Sequence, residues 1–251
     1  MTESKQKEFE IRDRSLEIKS TKTSDVLAII SKGVVGTIPL LGPLVAEIVG
    51  EIIPNQRLDR IELLLIQLDQ KVQELTNYID PEKIDERFRS SEFISILEVG
   101  LYQAAKAIST ERIVYISSLL KNSLASDRIE QIGYKKLLYM LGQLNDIEIL
   151  KLKACSHHES STEFKAFLEK HRSAIMSPKE IKSDYDYRRH VLEKVYQNKL
   201  LEMDLIRKHF KVPKKGEEPD FDPITGTLRF SKFEISAIGR LLLKSIDQHP
   251  E

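Results

Sequence analysis

The chain has no tryptophan, a single cysteine and no surplus of either charge. Each scarcity excludes something. A lone Cys155 cannot form an internal disulfide and fits a reducing compartment. Thirty-nine basic residues are matched by thirty-nine acidic ones, so a chain-wide electrostatic hold on nucleic acid is excluded and only local patches remain. The sequences GxxxxGK[ST], GxSxG and HExxH are missing, as is a GxGxxG following a strand. The expectation is therefore a protein that is not an enzyme, with no catalytic residues, no cofactor and no metal. The opening, MTESKQKEFEIRDRS, mixes both charge signs without an apolar centre. It does not read as a signal peptide, and the expected location is cytoplasmic.

What is present is an ordinary, slightly charge-rich globular composition: 251 residues, 41% hydrophobic and 31% charged. That length allows one domain or two small ones. Helical spacing dominates and strand signals are nearly absent, so the expected fold is all-α. An N-terminal helical bundle would carry a Gly/Pro-rich hydrophobic hairpin. A helical, winged-helix-like C-terminal domain would hold at most one short β-hairpin. The boundaries read as a polar tail or weak helix over 1–24, the bundle over 25–108 and the C-terminal domain over 109–251.

The most apolar stretch runs from Val26 to Ile53, with only Lys32, Glu47 and Glu51 charged. It contains Gly33, Gly36, Pro39, Gly42, Pro43 and Gly50, which break it into two short helices around 36–43. Its longest uncharged run, Gly33–Ala46, is 14 residues, short of the ~18–20 a spanning helix needs. Gly42, Ala46 and Gly50 recur every four residues and would put a groove of small residues on one face, where another helix could approach closely. Two readings stay open: a hairpin buried in the core, or a hairpin sheltered at rest and released into a bilayer.

Next, Leu58, Ile61, Leu65, Leu68, Val72, Leu75 and Ile79 alternate spacings of three and four, a heptad seam that would mask the hairpin. Leu63, Leu64 and Ile66 add a second strip, while Asp59, Asp69 and Lys71 fall on the expected outer face. Asp80–Pro81 ends this helix and opens another. Apolar spacing marks further helices at Phe93–Ile108 and Ile113–Leu120. Asp127 with Glu130 and Asn145 with Glu148 start two more as capping boxes. Ser160 with Glu163 would cap a short helix. Ser177–Pro178 would begin a long one reaching Phe210, and Ser231 with Glu234 would cap the last. The cluster Cys155, His157, His158, Glu159 supplies no usual zinc pattern and reads as a polar loop. The basic run Arg207, Lys208, Lys211, Lys214, Lys215 could hold phosphate, on lipid or DNA, or be a solvated helix end.

Two stretches, GTIPLLGPLVAEIVGEIIPNQRLDRIELLL and FEISAIGRLLLKSI, resemble bacterial proteins of abortive infection, the abortive-infection alpha family. In that family a closing helix carries T/S-x-x-G-R/x-x-L/F, a pattern that Ser236, Gly239, Arg240 and Leu242 would fill. The hairpin also resembles those of membrane-active helical cell-death domains. The resemblance implies a non-enzymatic antiphage effector, working with a protein partner (itself or a defence component) and on inner-membrane lipid. A homo-oligomer is expected and nucleic acid is disfavoured. The alternatives are an adaptor of a defence complex and a winged-helix DNA-binding regulator.

Overall fold

The structure, a computed structural model, describes residues 57–157, 161–176, 178, 180–210, 219–222 and 226–249. The expected tail and the whole Gly/Pro hairpin, with Gly33, Gly36, Pro39, Gly42, Pro43, Ala46 and Gly50, lie outside them, as do Lys211, Lys214 and Lys215. The described residues are mainly helical with one two-stranded antiparallel sheet. None of their helices is long and apolar enough to cross a membrane. The chain forms two compact units meeting at Leu138–Tyr139, not after Ile108 as expected. The physical reason is Thr110–Ala125, which the sequence reading gave to the second domain but which packs into the first.

In the first unit, α1 (Leu58–Leu75), α2 (Pro81–Phe88), α3 (Ser91–Lys106) and α4 (Thr110–Ala125) build one core. Helix α4 is its centre, meeting α1, α2 and α3. The seam residues Ile61, Leu65, Leu68 and Val72 are buried, and so is Leu64 of the second strip, while Leu75 is half-buried. Among the described elements, α1 packs on α4 and α3. A stripe that wide suits burial on two sides. Asp69 departs from expectation: it is buried, and its carboxylate accepts from Gln73 Nε2 at 2.8 Å. Gly100 of α3 lies against Leu120 and Ile116 of α4. A Cβ there would stand 3.1 Å from a Leu120 methyl.

Helix starts follow side chains that accept from orphan amide groups. Asp80 accepts from Glu82 N, with Pro81 at the first position, and Ser90 and Ser109 cap α3 and α4. Asp127 Oδ1 accepts from the amides of Ile129 and Glu130 at 2.9 Å each, opening α5 (Arg128–Gln143). Ile108, read as part of an apolar helix face, is exposed instead, at 96%. Ile108 falls past the C-cap Ala107, where helical spacing no longer applies.

In the second unit, α6 (Asp146–Ser156), α7 (Thr162–Ile175) and α8 (Asp184–Glu202) precede β1 (Ile206–Phe210), β2 (Phe230–Ile235) and α9 (Ala237–Ser245). Helix α6 is the hub, touching α7, α8, β2 and α9. Its capping box is complete: Glu148 N donates to Asn145 Oδ1 and Asn145 N to Glu148 Oε2. Three expectations fail here. Ile206–Phe210 is a strand, not a helix end. Ser231 and Glu234 lie in β2, and Ser236 is the cap of α9. Helix α8 begins after Ser183 rather than at Ser177–Pro178.

The strands pair Ile206 with Ile235, Arg207 with Glu234 and His209 with Lys232, then slip by one residue before Phe210–Phe230. Gly226 adopts φ 65, and its amide donates to Asp222 O at 2.8 Å. Helix α9 is clamped on the α8–β1 corner. Ser236 Oγ donates to Asp204 O at 2.5 Å, while its amide donates to Leu205 O at 3.0 Å. Gly239 leaves no room for a side chain, since a Cβ would meet Leu205 O at 2.2 Å.

Truncating fully buried Leu68 to alanine should destabilise the first unit by about 2–5 kcal/mol, whereas Ile108→Ala should change stability by less than about 0.5 kcal/mol. Urea unfolding followed by circular dichroism measures both. Equal effects would refute the assignment of the seam to the core.

Candidate functional site

The second unit contains a cleft of about 990 Å³. Its floor is the C-terminal half of α6, with Lys151, Ala154, Cys155 and His157. One wall comes from α7 through Phe164, Leu168 and Ile175, another from α8 through Glu193, Gln197 and Leu200. The sheet and α9 close the remaining side with Arg207, Lys232, Phe233, Glu234 and Arg240.

Lys151 holds this arrangement together. It is 8% exposed, so its ammonium has given up most of its water and needs partners. It donates to the Ile175 carbonyl at 2.7 Å and to Glu193 Oε1 at 3.3 Å. Glu193 also accepts from Gln197 one turn on. One charge on α6 thereby fixes the last turn of α7 and the middle of α8. Arg189 of α8 adds to the same end of α7, donating to the carbonyls of Ser173 and Met176. Cations on the final carbonyls of a helix satisfy its orphan acceptors and its dipole together.

At the other end of the floor, His157 lies between Phe164 and Phe167, with ring centroids 5.9 and 5.2 Å away. Its Nε2 is buried without a hydrogen-bond partner. Burial, and then the charge of Lys153, hold the imidazole below its ordinary pKa, so it stays neutral near pH 7. Burial pushes the Cys155 thiol up to about 11, against a smaller opposite pull from Lys151. The thiol is therefore protonated and a poor nucleophile. Among the described residues no group of three His, Cys, Asp or Glu side chains could hold a metal ion.

Glu234 is the acidic centre of the sheet side. His209 Nδ1 stands 3.0 Å away, Lys232 Nζ 3.8 Å and Arg207 4.0 Å. Arg240 has no acidic partner among the described residues, and its side chain is exposed.

The expected sites fare differently. Arg207 and Lys208 do not share a patch: a strand sends successive side chains to opposite faces. Arg207 goes toward Glu234, and Lys208 lies 5.2 Å from the Phe230 ring centroid. The stretch read as a polar loop instead supplies Cys155 and His157 to the cleft, while His158 and Glu159 lie outside the described residues. Sequence reasoning missed Lys151 and Glu193, and named Arg240 only as part of the closing-helix pattern. The one available signal was a lysine in IEILKLKA three residues after Glu148, on the face that the helix buries.

Two measurements test this geometry. Lys151→Met strips Glu193 and the Ile175 carbonyl of their partner and should cost about 3 kcal/mol, with Glu193→Gln costing less; chemical denaturation reads both. Iodoacetamide should modify Cys155 at pH 8 roughly a hundredfold more slowly than a free thiol, the rate climbing toward pH 11. Fast modification at pH 8 would contradict a protonated, half-buried thiol. No family model, no curated protein and no solved structure matches this chain.

Proposed function

We propose that this protein is a non-enzymatic antiphage effector of the abortive-infection type. Its apolar segment, Val26–Ile53, is sheltered at rest and acts on the inner membrane once a trigger frees it. The observation that carries the reading is the contrast between that segment and the helix after it. Three charges in 28 residues leave a stretch too greasy for a wet surface and too interrupted for a permanent span. The following helix, α1, is held by α3 and α4, so displacing the segment would leave those contacts in place. Copies would associate through the Gly42, Ala46, Gly50 face.

The adaptor reading has one observation in its favour. Tyr185, Tyr187, Val191, Leu192 and Val195 of α8 are all more than 40% exposed, which gives the second unit an uncovered apolar face for a protein partner.

Dye release from vesicles of phosphatidylethanolamine and phosphatidylglycerol separates the two. The full chain should release entrapped dye, and Gly42→Leu and Ala46→Leu should suppress release by blocking close helix approach. Intact vesicles at every pH and temperature below unfolding, with a stable soluble complex to a neighbouring gene product, would replace the effector by the adaptor. Duplex binding with a steep salt slope, lost in Arg207→Gln with Lys208→Gln, would instead favour the DNA-binding regulator.

A further inference from the structure

We propose that the cleft of the second unit binds a small organic anion with an apolar body: a carboxylate or phosphate head on a hydrocarbon or aromatic tail. The volume of about 990 Å³ lies at the upper end of the ~300–1,000 Å³ of small-molecule sites, which combine apolar walls with a few placed polar groups. The walls here are Phe164, Leu168, Ile175, Leu200, Ile206 and Phe233. They come from α7, α8 and both strands, so apolar surface faces the space from three sides.

The polar groups are sorted by position. Lys151 and Glu193 pair with each other at 3.3 Å and cancel. On the sheet side Arg207 and Lys232 share one carboxylate, Glu234, and His209 draws on the same acid. Arg240 brings a further cation with no acidic partner among the described residues. Arg207 shares its one acid with other cations, so an anionic head would meet positive charge at the rim. Guanidinium groups suit the role because their donors match the two oxygens of a carboxylate or phosphate. Farther along the floor, His157 Nε2 is a buried polar atom without a partner. A polar substituent on the ligand body would satisfy it.

A cationic ligand would meet the same positive charge as repulsion, and a neutral hydrocarbon would leave the rim cations unused. The residues that line the cleft come from positions 151 to 240, and the proposal does not rest on action at a membrane. Binding and dye release are read independently, so either can fail alone.

The test is calorimetric titration of the full chain with decanoate and with decyl phosphate, each below its micelle concentration, beside decanol and decyltrimethylammonium. The expected result is one anion per chain, with decanol at least roughly tenfold weaker and the ammonium silent. Tighter binding of decyl phosphate than of decanoate would assign a phosphate head, and the reverse a carboxylate. Arg207→Gln with Arg240→Gln, both on exposed side chains, should weaken the anions roughly tenfold or more without shifting the thermal midpoint. Ala154→Phe should fill the floor and abolish binding. Should that variant fail to fold, the two arginine changes decide. Failure of both anions to bind up to millimolar concentration overturns the proposal, as does equal binding of anion and ammonium, or an undiminished affinity in the arginine variant.

Discussion

A buried ammonium dictates the shape of the second unit. Lys151 cannot sit almost wholly out of water without partners, and those partners come from the last turn of α7 and the middle of α8. Polar contacts have directions and fixed lengths, so α7 and α8 are held at points rather than zipped along continuous apolar faces. Arg189 repeats the device at the same helix end. Between elements fixed at points, space is left over, and that space is the cleft. The first unit shows the opposite construction. There α4 is enclosed by α1, α2 and α3, and Leu64, Leu68, Leu97, Ile116 and Leu119 are buried. Among the described residues, such a core is built of apolar faces packed on one another.

Helix starts were the most legible part of the sequence because a cap is a local contract between one side chain and amides two or three residues on. Asp80–Pro81, Asp127 and Asn145–Glu148 keep it as written. The spacing to Glu163 favours Ser160, yet the cap is Ser161, which accepts from Phe164 N. Ser231 with Glu234 has the same spacing inside a strand, because tertiary pairing with β1 overrides it. Spacing also misled where it was ambiguous. Ile206 and Phe210 are four apart and continue a helical pattern, but four is equally an even number, and alternation serves a strand as well. On α8 helical spacing does not bring burial with it: Val191, Leu192 and Val195 keep the spacing while staying exposed.

The cleft was not legible because no short pattern encodes it. Its charged residues come from positions 151 to 240, and only the fold makes Glu193 a neighbour of Lys151. The pattern Ser236, Gly239, Arg240, Leu242 was readable as a string but not as physics. In the structure each member has its cause. Ser236 caps α9 and ties it to Asp204, and Gly239 permits the carbonyl of Leu205 to approach. Leu242 is buried and Arg240 reaches the cleft rim. Whole-chain charge was informative only in one direction. A total of zero excluded a basic protein, but it averages away local clustering such as Arg207, Lys232 and Arg240 on one side of a cleft.

Helix α8 serves two surfaces, and helical geometry keeps them apart. Glu193, Gln197 and Leu200 follow the i, i+4, i+7 spacing of one face and line the cleft. Tyr187, Val191 and Val195 repeat every four residues on another and are exposed. Two residues along a helix turn the side chain through about 200°, so Val191 and Val195 point away from Glu193, which sits midway between them. A ligand in the cleft and a protein on the exposed stripe would therefore not compete for the same side chains. The lysine contact that anchors Glu193 also sets the azimuth at which the stripe is presented, because rotating α8 enough to bury Val191 and Val195 against its own unit would carry Glu193 off Lys151. Turning the stripe inward would therefore set the loss of a nearly dry ion pair, about 3–5 kcal/mol, against roughly 1.5–3 kcal/mol for each valine-sized side chain buried. The lysine contact thus opposes the rotation with an energy of the same size as the burial that would favour it.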